Sequence, residues 1–149
     1  YGGVIANQLD TLNHLGIFTK PLSKPVDKLS RLIDYQAQTQ ALDRRARTYL
    51  HANCAHCHQK WGGGNAEFQL QANLPLDETG TINTPAGQGT FGLDKPALLI
   101  TGNPERSLIY HRMAKKGLGH MPHVGSNVTH QQAVELIQQW IKQLSHEKK

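Results

Sequence analysis

Apolar side chains recur every three or four residues in four parts of the chain, which is the spacing of one face of an α-helix. These parts cover residues 4–18, 39–53, 103–116 and 129–144. Residues 61–102, between the second part and the third, show no such period. The pattern therefore predicts an all-α protein with a long irregular segment near its middle.

Local signals indicate where the predicted helices begin and end. Gly16 ends the first, and a proline-containing linker at 21–25 follows it. Asn103, followed by proline, is typical of a helix start, and Thr129 with Gln132 matches a capping box for the last helix. That last helix has a wide apolar face, which we expect to pack against the helix at 39–53.

Glycine and proline are frequent between residues 61 and 102, so the sequence predicts loops there and one short hairpin at 79–91. Loops of this length often have a function. Two aromatic residues, Trp61 and Phe68, lie near the start of the segment. They are interpreted either as packing against a bound ring system or as filling ordinary core.

The composition is that of one domain of ordinary size. The chain has 149 residues, of which 38 % are hydrophobic and only 6 % aromatic, so a buried cofactor would add apolar volume to a lean core. The sequence contains no run of about 20 apolar residues, so it does not predict a membrane-spanning helix. The chain begins at Tyr1 without a signal peptide, which we interpret as a mature form or an excised fragment of a longer protein.

The formal net charge of the chain is +5. A basic surface can steer a protein toward an acidic redox partner. The basic residues form no stripe interleaved with aromatic ones, so the sequence does not indicate nucleic-acid binding. The other interpretation is that the lysines and arginines simply form a solvated surface with no binding role.

The most specific signal is the pattern C-x-x-C-H at residues 54–58, directly after the second predicted helix. This pattern is typical of c-type haem attachment. Cys54 and Cys57 would bind the two vinyl groups of one haem, and His58 would ligate its iron. One covalently bound haem c is therefore the predicted cofactor.

Three other interpretations apply to two cysteines at this spacing. A thioredoxin-like pair follows a β-strand, whereas Cys54 and Cys57 follow a predicted helix. A structural zinc site requires two further ligands, and the nine histidines of the chain leave a Cys2His2 site open. A disulfide between the two cysteines would close too short a loop to stabilise the fold much.

A second signal lies in the glycine-rich loop predicted between the last two helices. Met121 stands there directly before a proline, whereas Met113 lies on a helical apolar face and is predicted to be core. Thioether sulfur ligates haem iron opposite histidine. We therefore predict Met121 as the distal iron ligand, with His111, His120 and His123 as the competing candidates.

These features together resemble a class I cytochrome c domain. The resemblance lies in a helix leading into the pattern at 54–58, a later Met121 before proline, and a final amphipathic helix carrying Trp140. It covers residues 39–144. It implies a small helical fold in which the first and last helices cross, with one haem c held by the two cysteines, His58 and Met121.

The resemblance also implies an organisation and a location. Residues 1–35 are predicted to be an N-terminal extension or a linker from an upstream domain, and residues 36–146 the cytochrome c domain, with the long glycine-rich loop as an insertion. This arrangement is similar to cytochrome c modules fused at the C-terminal end of large exported bacterial proteins. Covalent haem attachment implies a periplasmic or exported location.

The function implied is single-electron transfer through a six-coordinate haem, between a dehydrogenase or fused upstream domain and a redox partner. The chain would then be an electron-transfer domain and not an enzyme by itself. The sequence contains no nucleophile paired with a base, no carboxylate pair in a motif and no phosphate-binding glycine loop. The alternative is a haem peroxidase or gas-binding sensor, in which the distal ligand is labile or absent.

Overall fold

The structure is a computed structural model that describes residues 3, 5–63 and 67–144. Within these residues it contains four α-helices, three short 3₁₀ turns and no β-strand, which confirms the predicted all-α class. None of the described helices is long and apolar enough to cross a membrane. The predicted first helical residue, Val4, and the predicted domain end at 146 lie outside the described residues.

The chain divides into two compact units, Tyr1–Leu32 and Ile33–Lys149. The first unit contains helix α1, Gln8–His14, and a 3₁₀ turn at Val26–Lys28. The side chain of Asn7 accepts a hydrogen bond from the amide of Leu9, which caps α1. No residue of α1 is buried, so within its unit this helix has no core of its own.

The second unit is built on helices α2, α3 and α4, which are Leu42–Cys54, Leu108–Ala114 and Gln131–Gln143. Helix α4 packs against both α2 and α3, so the predicted pairing of α2 with the last helix is confirmed. Trp140 is 1 % exposed, and its Nε1 donates to Asp43 Oδ1 of α2 at 2.8 Å. The buried core has contributions from all three helices: Ala46, Tyr49, Leu50, Ile109, Leu136, Ile137, Trp140 and Ile141.

The predicted capping box is wrong, because a tertiary contact determines where α4 begins. The residue before the helix is His130, and no side chain caps the helix there. The His130 ring lies instead between two tyrosines, with Nδ1 3.1 Å from Tyr49 Oη and Nε2 3.5 Å from Tyr35 Oη. These contacts connect the start of α4 to α2.

The helix predicted at 103–116 is divided into two elements. Asn103 caps as expected, its Oδ1 accepting from the amide of Arg106 at 3.1 Å, but this opens only a 3₁₀ turn, Pro104–Arg106. Ser107 is fully buried, and its Oγ bonds the carbonyl of Asn103 at 2.7 Å and the amide of Ile100 at 2.9 Å. Because this side chain binds backbone groups locally, the helix begins only after it.

The predicted hairpin at 79–91 is also wrong. Outside the helices, the described chain contains only isolated bridges, and Ile82 pairs with Leu99 in parallel orientation. The rest of the segment at 67–102 forms loops, as predicted, with one 3₁₀ turn at Leu76–Thr79. The pairing of Ile82 with a residue beyond the predicted hairpin is a long-range contact that local turn residues do not encode.

Three arginines donate hydrogen bonds to backbone carbonyls of this loop segment, and we call these contacts the arginine clamps. Arg47 on α2 bonds the carbonyls of Gln71 and Leu74. Arg106 bonds those of Asp94 and Lys95, and Arg112 on α3 bonds those of Gln88 and Gly89. Arginine presents several N–H donors in a planar fork, so one side chain can bind two carbonyls of a loop that has no regular structure.

Candidate functional site

The C-x-x-C-H pattern forms one compact turn at the end of α2. Cys54 is the last residue of the helix, and its carbonyl accepts from the amides of both Cys57, at 3.1 Å, and His58, at 2.9 Å. The turn therefore presents all three side chains within one loop of backbone. Both cysteines are free thiols, Cys54 partly buried and Cys57 exposed.

The glycine after this turn is required for space. A Cβ on Gly62 would lie 2.3 Å from the carbonyl oxygen of Cys57, which no real side chain tolerates. The amide of Gly62 also donates to the carbonyl of Gln59 at 2.8 Å. The backbone therefore folds back directly against the second cysteine, and this close approach fixes the shape of the turn.

The His58 ring is held by packing and lacks a hydrogen bond at its buried nitrogen. It stacks on Phe68, with ring centroids 4.4 Å apart and planes at 16°. Its Nδ1 is buried without a partner. Burial, followed by the nearby charges of His56 and Arg112, lowers the pKa of His58, which favours the neutral imidazole that binds metals.

The two aromatic residues considered as ring-packing differ in position. Phe68 is half-buried and its face covers one side of the His58 ring, so it contributes directly to the candidate site. Trp61 is 93 % exposed, and its closest recorded partner is the ammonium of Lys60, 5.6 Å from the ring centroid. Phe68 therefore orients a predicted ligand, whereas Trp61 remains open to solvent.

Without haem, Cys57 is expected to react with iodoacetamide before Cys54. Burial, and then the neighbouring Cys57, raise the pKa of Cys54 to about 11, so that its thiol stays protonated at about pH 8, and only the thiolate is reactive. Peptide mass spectrometry after brief labelling measures the order. The difference should shrink as the pH rises toward 11 and vanish in denaturant, whereas equal labelling of the native chain at about pH 8 would contradict it.

Met121 lies in the loop between α3 and α4, and is half-buried. Its amide donates to the carbonyl of Arg112 at 2.9 Å, which fixes the methionine segment to the end of α3. The peptide bond from Met121 to Pro122 is cis. Met113 packs against the edge of the hydrophobic core, as predicted for a core methionine.

The three competing histidines have different surroundings. His111 is engaged with the chain itself, its Nε2 lying 2.7 Å from the carbonyl of Glu105. His120 has Nε2 2.9 Å from Ser126 Oγ, while its Nδ1 is buried without a partner. His123 is exposed. His120 is therefore the histidine of this group whose unpaired nitrogen most resembles that of His58.

The structure brings Cys54, Cys57 and His58 together in one turn, while Met121 is held on a separate loop. It records no hydrogen bond or ring contact between the Met121 side chain and the other three. Arg112 is common to both parts, because its charge acts on His58 and its carbonyl binds the Met121 amide. Two halves of the predicted site are thus connected through α3.

Sequence reasoning did not identify Arg112 or Phe91 as part of this site. The guanidinium of Arg112 lies 5.3 Å from the centre of the Phe91 ring, and its Nη1 donates to the carbonyl of Gly119 at 2.9 Å. The helical spacing could have indicated Arg112. It lies four residues after Leu108 and three after Ile109, both buried, and therefore on the same side of the helix as these core residues.

The side chains present fit a covalently attached haem. They comprise two free thiols in one turn, an imidazole whose Nδ1 has no partner, and a half-buried thioether in a loop. Within residues 3, 5–63 and 67–144, no three side chains of His, Cys, Asp and Glu converge to hold a metal ion. These residues therefore do not support a structural zinc site, which needs four such ligands. A haem iron ligated by one histidine and one methionine needs no such group.

Comparisons with known proteins identify no relative of this chain. The roles considered for its cysteines, for His58 and for Met121 come from the chemistry and position of these side chains. No protein-family model, no curated protein and no solved structure matches the sequence or the fold.

Proposed function

We propose that the chain is an electron-transfer domain that carries one covalently attached haem c in a class I cytochrome c fold. The observation that carries this proposal is the single turn at 54–58, which presents two free thiols and an unpaired imidazole directly after a helix. The packing of α2 against α4 is the further support that the fold provides.

Cys54 and Cys57 would hold the cofactor covalently. Each thiol would form one thioether bond by addition across a vinyl group, which needs no leaving group and no separate oxidant. The helix end and the Gly62 contact keep the two sulfurs in one turn.

His58 and Met121 would be the protein ligands of the iron. The stacking of Phe68 restricts rotation of the His58 ring, and the bond from Met121 N to the Arg112 carbonyl restricts the methionine segment. A bound haem supplies a one-electron ferric/ferrous couple, whose potential a methionine ligand raises. With both ligands bound, the site would carry electrons and bind no substrate at the iron.

The partners and the location follow from this proposal. The domain would relay electrons between a dehydrogenase or a fused upstream domain and a redox protein, in the periplasm or outside the cell. The formal net charge of +5 supports an acidic surface on one of these partners, because such association is steered electrostatically. Residues 1–35 would be the extension or linker to the upstream domain.

The proposal is tested by denaturing mass spectrometry after expression with a cytochrome c maturation system. We expect the wild-type mass to include one haem, because thioether bonds survive denaturation, and the double variant Cys54→Ala/Cys57→Ala to show the polypeptide mass alone. Each single variant retains one thiol and serves as an intermediate control. An unmodified wild-type chain, from cells that mature a control cytochrome, would refute haem attachment.

A further inference from the structure

We infer that Arg112 is the positioning residue of the Met121 segment: its guanidinium joins that segment to residues 88–91, and this attachment sets how firmly Met121 holds the iron. The inference rests on the proposed function, because it concerns a ligand of the same haem. Arg112 acts through Met121 and not on the iron itself.

Both the main chain and the side chain of Arg112 bind the methionine segment. The carbonyl of Arg112 accepts from the amide of Met121 at 2.9 Å, and Nη1 donates to the carbonyl of Gly119, also at 2.9 Å. Met121 is thus fixed through its own amide and through the carbonyl two residues before it. One residue of α3 therefore determines the position of this segment at two points.

The second arm of the guanidinium reaches the loop at 88–91. Nη2 donates to the carbonyl of Gln88 and to that of Gly89, the latter at 3.3 Å. Hydrogen bonds from a cationic donor are stronger than neutral ones. The planar fork of arginine directs separate N–H groups at separate acceptors, which the single ammonium of lysine does not do.

Close packing supports these hydrogen bonds at the junction of the two segments. A Cβ on Gly119 would lie 2.9 Å from Cζ of Phe91 and 3.3 Å from Nη1 of Arg112, and Gly119 has a φ of +83°. The positive φ favours glycine here, and a larger side chain would also displace the Phe91 ring. Because the segments touch as well as share one guanidinium, movement of one is transmitted to the other.

Lys115 offers a matched control on the same helix end. Its ammonium lies 5.0 Å from the centre of the same Phe91 ring, and among the described residues its Nζ donates to no carbonyl. Lys115→Gln and Arg112→Gln remove the same charge near the same ring. Only the second change also removes the bonds to Gly119, Gln88 and Gly89.

The experiment is an imidazole titration of the haem-loaded ferric protein, in which imidazole competes with Met121 for the iron. Weaker methionine ligation raises the apparent imidazole affinity. We expect Arg112→Gln and Arg112→Lys each to raise it about tenfold, which corresponds to about 1.4 kcal/mol, and Lys115→Gln to change it less than about twofold. Hydrogen exchange at the Met121 amide, measured on the same samples, should become faster in both Arg112 variants.

The outcomes separate the inference from the function on which it rests. Equal affinities in Arg112→Gln and Lys115→Gln would overturn it, and so would a wild-type affinity in Arg112→Lys, because lysine keeps the charge without the fork. Arg112→Lys carries the test independently if the glutamine variant folds poorly. Attached haem with unchanged imidazole affinity rejects the role of Arg112 alone, whereas a wild-type chain without haem rejects the proposed function as well.

Discussion

Trp140→Ala is expected to lower the free energy of unfolding by about 3–5 kcal/mol, which is the usual cost of removing a buried aromatic side chain. Trp140 is 1 % exposed at the contact between α4 and α2, and its indole N–H donates to Asp43 at 2.8 Å. Domains of this size are stable by about 5–15 kcal/mol, so this one change would remove a large share of the stability of the domain. Denaturant unfolding followed by circular dichroism measures the loss.

The second tryptophan of the chain supplies the control. Trp61 is 93 % exposed, so Trp61→Ala should change stability by no more than about 0.5 kcal/mol. Trp140→Phe, which keeps most of the ring but leaves Asp43 without the indole donor, should fall between the two. Equal stability losses in Trp61→Ala and Trp140→Ala would show that the packing of α4 on α2 does not stabilise the domain.

Met121→Leu is expected to abolish the ferric sulfur-to-iron charge-transfer band of the haem-loaded protein and to lower its reduction potential. Leucine has nearly the same volume but no sulfur, so the change removes a ligand with little effect on packing. Methionine raises the potential of a haem relative to histidine or an open position. Absorption spectra of the oxidised protein and a redox titration measure the two effects.

Met113→Leu is the matched control, because these are the two methionines of the chain. It should leave the band and the potential unchanged, since Met113 packs against the core. A band that persists in Met121→Leu but disappears in Met113→Leu would assign the ligand to Met113. A high-spin spectrum in the resting wild type would instead favour the peroxidase or gas-sensor alternative.

The helices that the sequence predicted well are those whose apolar face is long. α2 and α4 each have 13 residues, and the structure buries the periodic apolar positions of α4 together with Ala46, Tyr49 and Leu50 of α2. α3 has only 7 residues, because Ser107 binds backbone groups that a continuous helix would use. The capping box of α4 was wrong for a similar reason, since the residue before the helix, His130, is held by two tyrosines that are distant in sequence.

The part of the candidate site that could be predicted is the part formed by residues close together in the sequence. The residues at 54–58 act within one turn, so their spacing alone indicates the haem motif. The role of Arg112 depends on carbonyls 7, 23 and 24 residues away, and carbonyls carry no sequence signature. The stacking of Phe68 on His58 likewise joins residues whose relation only the folded chain reveals.

The arginine clamps have a consequence for how this domain can diverge. The groups that accept from these arginines are backbone carbonyls, which every residue type provides, so the contacts do not depend on the side chains at the accepting positions. Insertions between two clamps would leave each attachment intact and add only a small loop-closure entropy. We therefore expect related domains to differ in the length of this segment while keeping arginine at the three donor positions.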